Sequence, residues 1–287
     1  MTESATTVRG VLRTWHDLEQ AADKSAWSLY VAEFLGTALL LVGGLSAVIL
    51  VVSPASPVAT LHLDGWLARG IAGALFGLTG TLVTVSALGR HSGAHINPAM
   101  TLAFLIEHKI SASHAAWYVV SQCLGAVVGA WVVLAWGPLG KPITYGATTP
   151  AGTIAPLAAV ALEALCTTVL VGTVFVFLGH PRLRRFTPWT MSPMYAVMVS
   201  IEAPWTGTST NPARSLGPAV ATGTWNGFWV YLVGPALGAV LGLAVAWLLG
   251  RGRHRVPQAR IAPHPARPLW GDLNPAVLQH LHDTRSP

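Results

Sequence analysis

Apolar residues run along this chain in long blocks, separated by short breaks rich in polar residues, Gly and Pro. A helix needs roughly 20 mostly apolar residues to cross a bilayer. Six blocks reach or approach that length, at about 27–51, 66–89, 114–136, 156–179, 187–203 and 225–250. The fifth is the shortest and is interrupted by Pro193. Trp27, Trp66, Trp136, Trp189, Trp225 and Trp247 sit near block ends, where amphipathic rings favour the membrane–water interface. The pattern predicts an all-α membrane protein with six transmembrane helices.

Composition strengthens that reading. Of 287 residues, 52% are hydrophobic and only 10% charged, against about 25% charged in a soluble domain. The net charge of +6 does not indicate nucleic-acid binding, because the basic residues lie in loops and tails, where they set membrane orientation. With both termini in the cytoplasm, 14 of the 17 Lys and Arg residues fall on the inner side, and Arg69, Lys141 and Arg214 remain outside or within the membrane. A multi-pass plasma-membrane protein with cytoplasmic termini is expected, with the lipid bilayer as its first partner. Cys123 and Cys166 lie inside apolar blocks and give neither metal spacing nor a disulfide framework.

Residues 1–26 are charged and lack the apolar core of a secretory signal. Val8, Leu12, Trp15 and Leu18 recur at helical spacing, so this cytoplasmic leader is either a short amphipathic surface helix or disordered. The tail, 251–287, is rich in Pro, Arg and His and reads as a mostly disordered cytoplasmic extension. The central domain is 27–250, with halves at about 27–136 and 156–250.

The halves echo one another. Glu33-Phe34-Leu35-Gly36-Thr37 and Glu163-Ala164-Leu165-Cys166-Thr167 share Glu-x-Leu-x-Thr, and each precedes an Asn-Pro-Ala triplet, Asn97-Pro98-Ala99 and Asn211-Pro212-Ala213. Asn is a good helix N-cap and Pro suits the first helical position, so each triplet starts a short helix. Three spans per half make the halves enter the membrane from opposite faces, an inverted repeat. Two re-entrant half-helices then meet near the midplane, each N-terminus carrying about +0.5 charge. Non-helical backbone at that depth is tolerated where it lines a cavity, so Ala94, His95, Ile96 and Gly207 are expected to present carbonyls to a pore. A third triplet, Asn274-Pro275-Ala276, lies in the tail without flanking membrane helices and reads as chance or a tail helix start.

The segments Ser92-Gly-Ala-His-Ile-Asn-Pro-Ala-Met-Thr101 and Asn211-Pro-Ala-Arg-Ser-Leu-Gly-Pro-Ala219, with Tyr118, Gln122 and Val230–Pro235, resemble the signatures of the major intrinsic protein (aquaporin) family. The resemblance covers about 27–250. It implies an aquaporin-like fold, one pore per protomer, homotetramers, no cofactor, and passage of small neutral solutes with exclusion of ions and protons. Counting from the motifs transfers the family's selectivity filter to Gly77, Val199, Thr208 and Arg214. Phe76 is adjacent, but a one-residue offset inside a membrane helix would need a bulge, so Gly77 is expected. Such a filter, with Leu232 in the sixth helix, resembles nodulin-like intrinsic proteins and their bacterial relatives. That implies passage of glycerol, urea and undissociated acids such as arsenite or boric acid besides water; the alternative is a strict water channel.

Glu33 and Glu163, ionisable groups inside membrane helices, are expected to brace the half-helix loops. His95 fits a loop-bracing role, His91 could sense pH, and Glu202 either pairs with Arg214 or is solvated. A secondary transporter built on inverted repeats would need a coupling site at the midplane, where only neutral Asn side chains, carbonyls and the two Glu are expected. No Ser-His-Asp, metal-ligand or phosphate-binding pattern suggests an enzyme.

Overall fold

The computed structural model describes residues 3–250, 256 and 259–262, with side chains described from residue 26 onward. Among the described residues there are nine α-helices: α1 Glu3–Val52, α2 Gly65–Val85, α3 Ala87–Ser92, α4 Pro98–Ile106, α5 Ala112–Val133, α6 Pro156–Gly179, α7 Met191–Thr206, α8 Pro212–Thr222 and α9 Val230–Leu249. Five helical stretches are long and apolar enough to cross a membrane, 26–52 of α1, α2, α5 with its continuation to Leu139, α6 and α9. The sixth, α7, has only 16 residues and follows a 3₁₀ turn, Arg184–Thr190. Pro193 does not interrupt it, because it falls in the first turn, where a missing N–H costs little.

Two boundaries differ from the sequence expectation. The second span stops at Val85, and Ser86, with φ −69° and ψ 171°, breaks the helix and caps α3 through Gly89 N at 3.3 Å. The first span continues without a break back to Glu3, so the backbone of the leader from residue 3 is helical rather than a separate element. The leader's side chains, the third Asn-Pro-Ala and most of the tail lie outside the described residues. Val256 and Ala259–Ala262 of the tail, expected to be part of a disordered extension, are instead buried against the helical body.

The packing has internal two-fold character. α1 packs on α5 as α6 packs on α9, and α2 packs on α7 across the middle. Each half-helix rests on the last helix of the opposite half, α4 on α9 and α8 on α5. Close approach needs small residues: a Cβ at Gly129 would lie 2.6 Å from Ala38 O, and one at Gly238 2.5 Å from Ala164 O. The outward faces stay apolar, with Leu39, Trp131, Leu165, Val197 and Leu248 each at least half exposed, as lipid-facing positions would be.

Candidate functional site

The two Asn-Pro-Ala triplets meet head to head. Asn97 and Asn211 have extended backbones and cap α4 and α8: Asn97 Oδ1 accepts from Ala99 N at 2.8 Å, and Asn211 Oδ1 accepts from Ala213 N and Arg214 N at 3.0 and 3.2 Å. Each side-chain amide also crosses to the other loop. Asn97 Nδ2 donates to Thr210 O and Asn211 Nδ2 donates to Ile96 O, both at 2.9 Å. An amide carries two N–H groups, so each Asn keeps a second donor while the first ties the halves together.

The loops before the triplets repeat one another residue for residue. Counting back from Asn, the fourth, third and first positions all have positive φ: Gly93 (97°), Ala94 (54°) and Ile96 (40°) in one half, Gly207 (85°), Thr208 (52°) and Thr210 (52°) in the other. Positive φ at non-Gly residues costs of order 1–3 kcal/mol each and persists only where the surroundings enforce it. A buried carboxylate does so in each half. Glu33 accepts from His95 N and Ile96 N at 3.0 and 2.7 Å; Glu163 accepts from Ser209 N and Thr210 N at 2.8 Å each.

The frame extends outward in the same way. Ser92 Oγ donates to Glu33 at 2.7 Å and Thr206 Oγ1 to Glu163 at 2.6 Å, while Tyr118 Oη and Tyr231 Oη each donate at 2.7 Å to the carbonyl just before the left-handed glycine, Ser92 O and Thr206 O. Gln122 Nε2 adds a donor to Glu33 at 2.8 Å. His95 stacks on Phe104 with ring centroids 4.5 Å apart, and its Nδ1 lies 3.1 Å from Thr101 Oγ1. His91 Nε2 lies 2.8 Å from Ser28 Oγ.

The halves differ at Glu202. It is buried, neither paired with Arg214 nor solvated: it accepts from Thr208 Oγ1 at 2.5 Å and lies in a short contact with Thr206 Oγ1. Thr206 thus stands between Glu163 and Glu202, and Glu202 fixes the hydroxyl of Thr208.

Two cavities lie near the crossed Asn pair, which borders the smaller one; with the termini on the inner side, as the charge distribution leads one to expect, the larger is the outer. An outer one of about 310 Å³ is lined by Arg214, Thr208, Gly207, Val199, Tyr195 and Phe76, among others. A smaller one of about 50 Å³ is lined by Asn97, Asn211, Ala94, His95, Ile96 and Gly77, among others. Arg214 is buried, its Nη1 donates to Gly146 O at 2.8 Å, and its guanidinium carbon lies 5.7 Å from the Phe76 ring centroid.

Three positions counted from the motifs, Val199, Thr208 and Arg214, therefore come together, and Gly77 does not join them. Gly77 borders the inner cavity and packs on α7, where a Cβ would lie 2.6 Å from Met191 O. Phe76 occupies the place beside Arg214. The offset needs no bulge in α2, because the chain breaks at Ser86 and counting from Asn97 as though one helix ran through it slips the register.

Sequence reasoning also missed the segment after α5. Gly146, with φ 77°, turns its carbonyl onto Arg214, and Thr148 Oγ1 lies 2.6 Å from Ser215 Oγ. Tyr195 was missed as well; it borders both cavities with Oη 2.6 Å from Thr210 Oγ1. The Gly and Pro residues around 137–146 are the only sequence hint of the first, and nothing marks the second.

Residues 20–246 match the family model for major intrinsic protein. Aquaporin-4 of Mus musculus is 34% identical over 217 residues, covering 75% of this chain and 65% of the relative. Probable aquaporin PIP2-7 of Oryza sativa is 37% identical over 251 residues, 82% of this chain and 84% of the relative. The chain spans between about half and two thirds of the length of the mammalian aquaporin-4 relatives, 52% for that of Bos taurus. The X-ray structure of the aquaglyceroporin from Plasmodium falciparum shares the fold at a TM-score of 0.60 and 22% identity, over 76% of this chain and 93% of that one.

Proposed function

This chain belongs to the major intrinsic protein family, and on that footing we propose that it is a passive membrane channel for water and small uncharged hydroxylated solutes such as glycerol and urea. The observation that carries the reading is the crossed pair Asn97–Asn211 at the wall of a cavity, with a donor left on each amide. A neutral solute trades its hydration for fixed donors and carbonyls. A cation meets two helix N-termini, each worth about +0.5 charge, and then Arg214. The same field orients water at the centre and opposes a proton hop, the barrier described for aquaporin-type pores.

The filter we propose is Phe76, Val199, Thr208 and Arg214. It combines apolar side chains, Phe76 and Val199, with polar ones, Thr208 and Arg214, the latter held on Gly146 O. A polyol has matching faces, C–H on one side and O–H on the other. A second reading, a strict water channel, is favoured by Phe76, which narrows the opening that a glycine there would have left. Glycerol, urea, arsenite and boric acid were all expected on a filter containing Gly77; with Phe76 there, the polyol reading rests on the mixed apolar and polar lining instead, and the two acids keep no separate support.

Glu33 and Glu163 hold the carbonyl-bearing loops. The lysine and arginine distribution supports cytoplasmic termini, and the homotetramer is carried by family membership. The test is stopped-flow permeability of proteoliposomes: uptake of glycerol and urea beside water supports the solute channel, and water flux alone supports the strict water channel.

A further inference from the structure

The pore has an asymmetry that the repeat does not account for. The outer cavity holds about 310 Å³ and the inner about 50 Å³, room for only a few waters. The difference coincides with a piece of the tail. Ile261 is among the residues lining the inner cavity, with Thr84, His95, Asn97 and Leu170. It is 5% exposed, and Ala259, Arg260 and Ala262 beside it are similarly covered.

The hydrogen bonds described for this segment reach the loop that presents carbonyls to the pore, or the helix leading into it. Ile261 N donates to Gly93 O at 2.9 Å. Ala259 O accepts from His95 Nε2 at 3.1 Å, which requires the proton on Nε2 and leaves Nδ1 to accept from Thr101. Arg260 Nη1 donates to His91 O at 3.3 Å and, in a short contact, to Arg90 O. The carbonyl of Gly93, next to the pore-lining run 94–96, is thus occupied by the chain itself, and Ile261 forms part of the wall of the inner cavity.

We propose that residues 259–262 are a reversible plug, the chain's own tail docked in the inner mouth of the pore to hold the channel closed. The proposal rests on the channel reading above. The contacts suit a gate rather than a permanent seal. Each hydrogen bond described for the segment nets only about 0.5–1.5 kcal/mol against water, and its buried apolar side chains are those of Ile261 and two small alanines, Ala259 and Ala262. The docked tail also pays ordering entropy, so docked and released states lie close in free energy. Release leaves Gly93 O and the ring of His95 facing water, which can satisfy both.

The test compares the full chain with Ile261→Asp and Arg260→Ala, reconstituted at matched protein content and read by stopped-flow water permeability. Asp at 261 places a charge in an apolar pocket, and Ala at 260 removes the donors to Arg90 O and His91 O. Both are expected to raise permeability by roughly tenfold, the factor that about 1.4 kcal/mol of preference for the docked state corresponds to. Removal of 251–287 gives the same rise without altering the channel body. Wild-type permeability in all three variants, clearly above protein-free vesicles, overturns the plug and leaves the channel standing. No flux above protein-free vesicles in any form overturns both.

Discussion

The guanidinium carbon of Arg214 lies 5.7 Å from the centroid of the Phe76 ring, in the outer cavity that Thr208 and Val199 also line. This pair sets the width and polarity of the proposed filter. The ring face also favours the cation, a contact worth about 0.5–2 kcal/mol depending on exposure, which helps keep Arg214 against the wall.

Truncation at Phe76 and enlargement at Gly77 should therefore act differently. Phe76→Ala removes the ring and is expected to raise glycerol and urea permeability several-fold, at some cost in stability because the ring is buried against Tyr195. Gly77→Ala puts a Cβ 2.6 Å from Met191 O, a backbone clash between α2 and α7. It is expected to lower thermal stability, by about 1–3 kcal/mol for such overpacking. Solute uptake and detergent-solution melting of the two variants separate these outcomes. A rise in uptake from Gly77→Ala and none from Phe76→Ala would return Gly77 to the filter.

The loops should fail when their carboxylates are neutralised. Glu33 and Glu163 each accept two backbone N–H groups and a hydroxyl, and Gln can offer one oxygen in place of two. A hydrogen bond to a charged group is worth about 1.5–3 kcal/mol, so Glu33→Gln and Glu163→Gln are each expected to cost about that much stability and most of the water flux. Melting temperature and flux measured on the same preparations check this. A variant as stable and as conductive as wild type would remove the bracing role.

Glu202 should tune selectivity without being required for flux. Its carboxylate fixes the Thr208 hydroxyl at 2.5 Å, whereas Thr206 retains Glu163 if Glu202 is lost. Glu202→Leu is expected to change the ratio of glycerol to water permeability by several-fold while water flux persists. An unchanged ratio would mean that Thr208 does not need this acceptor.

Much of the architecture was legible because the chain states it twice. The two Glu-x-Leu-x-Thr stretches and two Asn-Pro-Ala triplets predict the inverted repeat, and Glu33 and Glu163 take matching positions. What was lost has local causes. Counting from Asn97 to the filter assumed an unbroken helix, and Ser86 breaks it. Gly146 reaches Arg214 from a segment of 3₁₀ turns, where no periodicity aims a carbonyl. Glu202 gave two expectations, pairing or solvation, and neither anticipated two threonine hydroxyls from the adjoining turn. The tail docks partly through backbone atoms of Ala259 and Ile261, groups that nearly every residue carries, and partly through Arg260, one arginine among six in the tail that nothing in the sequence sets apart.

The central claim, an aqueous pore through the crossed Asn pair that passes neutral molecules and stops charge, is tested most directly by one reconstitution. Proteoliposomes holding the Ile261→Asp chain are followed in stopped flow for water shrinkage over a range of temperatures, with a trapped pH dye reporting proton entry. The account predicts fast shrinkage with the low activation energy of water moving through water, and no proton entry above protein-free vesicles. Shrinkage no faster than in protein-free vesicles, or proton entry keeping pace with water, would contradict it.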